Sequence, residues 1–135
     1  MDIQALIKKH EGLRLKPYTD TVGKLTIGYG RNLSDNGISR YEAELMLVSD
    51  IEDVYRDLSC FKWVGDLNSA REAVIVDMVF NLGLTRFKKF KKTIAHISAG
   101  DYYLASIEML NSKWAKQVGR RAITLSHMMK TGEWQ

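Results

Sequence analysis

Glu11, Asp20 and Thr26 stand within EGLRLKPYTDTVGKLTIGYG, residues 11–30, which holds the only proline of the chain. Two carboxylates flanking one turn can share the work of breaking a glycosidic bond. One stays protonated and donates to the leaving oxygen, while the other stays ionised and activates water or stabilises positive charge at the sugar. Different surroundings separate their acidities. A Glu partly enclosed at a helix end suits the acid, and an Asp beside a solvated turn suits the base. Thr26, expected on an open strand face with Gly28 and Gly30, could hold the attacking water. By spacing alone, such a pair is a weak signal, since a Glu and an Asp this close in sequence usually lie on solvated surface.

The elements that must position these groups follow from periodicity and breakers. Asp2 caps a helix with Ile3, Leu6 and Ile7 at helical spacing, ending near Glu11 and Gly12. Pro17 starts an extended entry, Val22-Gly23 marks a turn, and LTIGYG reads as the return strand. Its alternation sends Leu25, Ile27 and Tyr29 to one face, expected to pack inward. NLSDNGI, residues 32–38, is turn-rich. Ser39 and Glu42 have capping-box spacing and open a helix of roughly twenty residues, about 30 Å long. Residues 60–68 form a connector, and Ser69 with Glu72 matches a second capping box. AVIVDMVFNL is apolar nearly all round, as in a helix buried mid-domain. RFKKFKK, TIAHISAG, a helix capped by Asp101, Trp114, and a last helix from about Arg120 to Lys130 complete the chain. The expected class is α+β and mostly helical.

At 135 residues, the chain is read as one domain. Cys60 is the only cysteine, so no internal disulfide is expected. No secretory signal or membrane span is apparent in the sequence, which suits synthesis in a reducing cytoplasm. His10, His96 and His127 show no metal-ligand pattern, and no cofactor is expected. Residues 1–60 carry 8 Lys and Arg against 10 Asp and Glu; residues 61–135 carry 12 against 6. A basic second half suits a polyanionic partner or a solubilising surface. A basic helical nucleic-acid-binding domain is the alternative that RFKKFKK, Arg120 and Arg121 support, but it leaves Glu11, Asp20 and Thr26 without a role.

The Glu11–Asp20–Thr26 spacing resembles the catalytic signature of phage-type lysozymes, the endolysin muramidases of the T-even phage kind. The resemblance extends through EGLRLK, TIGYG, GISRYEAELML, MVFNLG and the closing KW…GRRA…TGEW. It implies a two-lobed fold with a cleft between lobes: a small β-hairpin lobe over about 12–59 including most of a long connecting helix, and a helical lobe over about 60–135 plus helix 1–11. It also implies hydrolysis of the β-1,4 bond between N-acetylmuramic acid and N-acetylglucosamine in peptidoglycan. Glu11 matches the acid, Asp20 the second carboxylate, and Thr26 the residue seating the water. Inversion at the anomeric carbon is implied, needing roughly 6.5–9.5 Å between carboxyl groups. Asn32, Phe80, Asn81, Thr93 and Glu108 match saccharide-contact positions, with Phe80 equally readable as core and Asn32, Thr93 and Glu108 as surface. Trp114 reads as structural, packed behind the cleft.

The expected partner is bacterial peptidoglycan, met by a monomer without membrane insertion after a separate pore-forming protein lets it through. A catalytically silent wall-binding relative would keep the fold without the three catalytic groups, all of which are present. Two departures stand out. RNLSDNG is short, implying a trimmer small lobe, and Arg31 stands where some relatives have His. An Arg31–Asp50 contact is expected.

Overall fold

The computed structural model describes residues 2–135. It is mostly helical, with one small antiparallel sheet, as the α+β reading requires. Two compact units are resolved, Met1–Met46 and Leu47–Gln135.

The first unit opens with α1, Ile3–Glu11. Asp2 caps it by accepting from the Ala5 N–H at 2.8 Å, and Gly12 stops it with φ 71°. The sheet follows in the order β1 (Arg14–Thr19), β2 (Leu25–Gly28), β3 (Arg31–Asn32). Tyr18 opposes Thr26 and Thr19 opposes Leu25, with an irregularity between Arg14 and Tyr18. The expected strand faces are reversed. Thr26 is buried, whereas Leu25 and Tyr29 are exposed. The Thr26 hydroxyl tolerates burial because it donates to the Lys24 carbonyl at 3.0 Å.

The turn-rich stretch contains more structure than its composition suggests. β3 pairs with β2, and Asn32 caps a single helical turn, α2, Leu33–Asn36. Ser34 Oγ accepts from the Leu25 N–H at 2.8 Å, binding that turn to the sheet. The capping box at the start of α3, Arg40–Leu58, is present. Ser39 Oγ accepts from the Glu42 N–H, and Glu42 Oε1 accepts from the Ser39 N–H.

The second unit holds the core. After a 3₁₀ turn, Lys62–Asp66, come α4 (Ser69–Leu82), α5 (Leu84–Phe87), α6 (Lys91–Ser98), α7 (Tyr102–Leu110), α8 (Lys113–Val118) and α9 (Arg120–Thr131). Val74, Ile75, Met78 and Val79 of α4 are buried, as the apolar stretch predicts. The cap of α4 is Asn68, not Ser69. Asn68 Oδ1 accepts from the Arg71 N–H, which frees Glu72 to accept from the Tyr55 hydroxyl at 2.7 Å.

RFKKFKK splits by chemistry. Phe87 is fully buried, edge-on to Phe61 and stacked on Phe90, while Lys88, Lys89, Lys91 and Lys92 stay exposed. Phe90 meets Trp114 edge-on at 6.1 Å between centroids. Trp114 is buried, as expected of a structural residue, and its indole N–H donates to Asn81 at 2.9 Å. An aromatic line thus joins the connector after α3 to α8.

The end of α9 is fastened to the start of α4. Arg71 donates to the Met129 and Lys130 carbonyls and lies over the Tyr102 ring at 3.9 Å. Asn68 donates to the Gly132 carbonyl at 2.9 Å. A Cβ at Gly132 would stand 2.9 Å from Arg71 and Asn68 atoms, so this closure requires glycine.

Candidate active site in the first unit

Glu11 is the last residue of α1 and is exposed. Its carboxylate lies against the backbone of Gly30, which has φ 78°. A Cβ built on Gly30 would come 2.5 Å from Glu11 Oε2 and 2.8 Å from its carboxyl carbon. The missing side chain is therefore the space that Glu11 occupies. Gly28 also has positive φ, 70°, but a Cβ there meets nothing within 4 Å.

Asp20 is held by its own turn. Its Oδ1 accepts from the Val22 N–H at 3.0 Å and the Lys24 N–H at 2.8 Å, and its backbone N–H donates to the Lys24 carbonyl. This Asx-type turn fixes the carboxylate plane and leaves Oδ2 as an acceptor outside the turn. Thr26 lies across from Tyr18 in the adjoining strand. Since its proton goes to the Lys24 carbonyl, the hydroxyl oxygen presents lone pairs to any incoming donor. One carbonyl, Lys24, thus ties the Asp20 turn to the Thr26 hydroxyl.

A phage lysozyme family model matches residues 8–129. An endolysin of Acyrthosiphon pisum secondary endosymbiont phage 1 is 37% identical over 120 residues, covering 86% of this chain and 80% of that protein. Probable T4-type lysozyme 2 of Dictyostelium discoideum is 26% identical, covering 96% of this chain and 94% of that one. The pre-baseplate central spike protein Gp5 of Enterobacteria phage T4 is 27% identical over 98% of this chain, which spans only 28% of that protein's length. The chain belongs to the phage lysozyme family. That family is one of glycoside hydrolases.

Within this phage lysozyme chain, the saccharide-contact candidates are differently placed. Asn32 is engaged locally, accepting from the Asp35 N–H and donating to the Asp35 carboxylate as the α2 cap. Phe80 is exposed at the end of α4, so the core reading of it does not hold. Asn81 accepts from Trp114, a partnership that spacing alone does not signal. Thr93, on α6, is buried, and it lines the same groove as Glu108 on α7. The contact of Gly30 with Glu11 is not foreseen from the sequence; the signal available is glycine at the end of TIGYG.

Arg31 has a different partner from the Asp50 expected. Its guanidinium donates to both carboxylate oxygens of Glu42, at 2.9 and 2.5 Å, and to the Gly37 carbonyl. Glu42 is already brought close by the Ser39 capping box, and the short loop leaves it within reach of the fork. The Arg31 hydrogen bonds, with the Ser39 donors, hold the Glu42 carboxyl at about 2, below its ordinary 4.5. The folded state therefore binds this proton less readily than the unfolded chain. The stabilisation is complete above the ordinary carboxyl range and disappears as pH falls towards about 2. Glu42→Gln should unfold at lower denaturant than the parent at neutral pH, with the gap closing as the pH approaches 2. A gap constant down to that pH would remove Arg31–Glu42 as its source.

The two glycines give a paired expectation. Alanine at either position costs about 1–2 kcal/mol because φ is positive. Only Gly30→Ala also displaces Glu11. As a test of a catalytic role for Glu11, Gly30→Ala is expected to lower the rate of wall clearing about 100-fold, the penalty typical of a displaced reactive group. Gly28→Ala should lose stability with activity retained. Equal activity losses in the two variants would show that strain, not displacement of Glu11, is responsible.

Proposed function

We propose that the chain is a muramidase that hydrolyses the β-1,4 bond between N-acetylmuramic acid and N-acetylglucosamine in peptidoglycan, with inversion. The observation carrying this reading is Glu11 seated in the space left by Gly30, in the same unit as an Asp20 carboxylate pinned by two backbone N–H groups. Family membership supplies the reaction class. The Glu11 carboxyl gives its proton to the glycosidic oxygen as the bond to the anomeric carbon breaks. Water attacks the opposite face of that carbon and passes its proton to Asp20 through Oδ2. The Thr26 oxygen accepts one water hydrogen and so orients the attack. Asn32, Phe80, Asn81, Thr93 and Glu108 contact the saccharide or its substituents. No cofactor takes part in this scheme.

The whole chain acts as one lysozyme domain and as a monomer, reaching the wall once a separate pore-forming protein lets it through. None of the described helices is long and apolar enough to cross a membrane. The nucleic-acid reading loses its strongest element. The phenylalanines of RFKKFKK would have to offer stacking faces, but Phe87 is fully buried and Phe90 is packed in the aromatic line.

Digesting purified wall and following the products by proton NMR tests the proposal. New reducing ends on muramic acid that first form as the α-anomer are expected. A β-anomer would overturn inversion, an internal anhydro ring would replace hydrolysis by transglycosylation, and absence of new ends would remove the muramidase reading.

A further inference from the structure

The second unit contains a groove of about 800 Å³ between α5, α6, α7 and α8. Five cations line it: Arg86, Lys89, Lys91, Lys92 and Lys113. Glu108 is the one carboxylate on its wall. None of the six forms an ion pair among the described residues, although four ion pairs occur elsewhere. Packing does not explain this convergence, since like charges crowded around a concavity repel one another. A cleft so lined concentrates positive potential over whatever enters it.

Two features select among anionic occupants. Glu108 would repel a uniformly negative chain, such as a phosphodiester backbone, but suits an ammonium group. The aromatic residues on the groove are not stacking platforms. Trp114 is 3% exposed with its N–H committed to Asn81, and Phe90 packs between Phe87 and Trp114. The lining fits a short peptide bearing several carboxylates and one amine.

We propose that this groove reads the charge of the peptide stems carried by the wall glycan, taking stems with free carboxylates in preference to amidated ones. The cations pair with the carboxylates, and Glu108 takes the ammonium. This rests on the muramidase reading for its substrate and adds a discrimination between walls: those with amidated stems become poorer substrates. The basic surplus of the second half is thereby given a location, and Lys88, exposed but absent from the groove, falls outside it.

The test uses the intact chain and two synthetic stem tetrapeptides, one with free carboxylates and an amine, the other with its carboxylates amidated. Neither contains a glycosidic bond, so binding is read independently of hydrolysis. Titration at low salt should show the carboxylate form binding about ten-fold more tightly, with the preference shrinking as salt is raised. Combined Lys91→Glu and Lys113→Glu should abolish the preference, while Lys88→Glu, with its smaller charge change at a site outside the groove, should keep it. Equal binding of the two peptides by the parent, or no binding of either, would overturn the proposal without touching the muramidase reading. So would an equal loss in Lys88→Glu, which would mean diffuse charge, or tighter binding of a short oligonucleotide than of the carboxylate peptide. Peptide preference in a chain that fails to cleave wall would instead remove the muramidase reading and leave a wall-binding module.

Discussion

Glu11→Gln should slow the clearing of a wall suspension about 1,000-fold or more while leaving the fold intact. Glutamine keeps the shape and the contact with Gly30 but has no acidic proton for the departing sugar oxygen. General acid catalysis typically contributes 10²–10⁴-fold, and a leaving alkoxide depends on it heavily. Stability should hardly change, because Glu11 is exposed and makes no ion pair among the described residues. The measurement is a clearing rate normalised to folded protein, with denaturation midpoints for both chains. Clearing at the parental rate would move the acid role to another residue. A large fall in midpoint would make the loss a folding effect.

The largest expected loss of stability is at Phe87. This ring is fully buried, edge-on to Phe61 at 6.0 Å and stacked on Phe90 at 6.3 Å. Phe87→Ala removes an interior ring of the aromatic line and leaves a cavity, at a cost of about 3–5 kcal/mol. The denaturation midpoint should fall with little change in slope, as for lost packing in an otherwise native state. Phe87→Leu, which refills most of the volume, should recover much of the loss. A change below about 1 kcal/mol for the alanine variant would mean that the core closes around the gap.

Legibility in the sequence tracked whether a signal was local. The caps at Asp2 and Asp101, the Ser39–Glu42 box and the burial of α4 are written in neighbouring residues, and all are present. The cap of α4 differs by one residue from the local signal because Ser69 and Asn68 are both good caps; Asn68 wins with a second bond to Gly132, 64 positions away. β3 and α2 escaped notice since two strand residues and one helical turn have too few positions for a period. The burial of Thr26 is not legible because alternation gives two faces without saying which is inward. Resemblance points Arg31 at Asp50, whereas the loop length brings Glu42 to it. The candidate catalytic residues were legible as types and spacing. The reason for Gly30 was not, because it lies in a contact between the end of α1 and the strand region nineteen positions later.

The fastening of α9 to α4 makes the chain from Asn68 to Gly132 a closed circuit. A nick at the Gly100–Asp101 junction between α6 and α7 would leave that circuit joined through the Arg71 clasp, and the two pieces should stay associated. Arg71→Ala would remove the two Arg71 bonds and leave Asn68 on Gly132, loosening the last turn of α9 although every peptide bond is intact. For this unit, continuity of the backbone and closure of the ring are separate properties, the second resting on the side chains of Asn68 and Arg71.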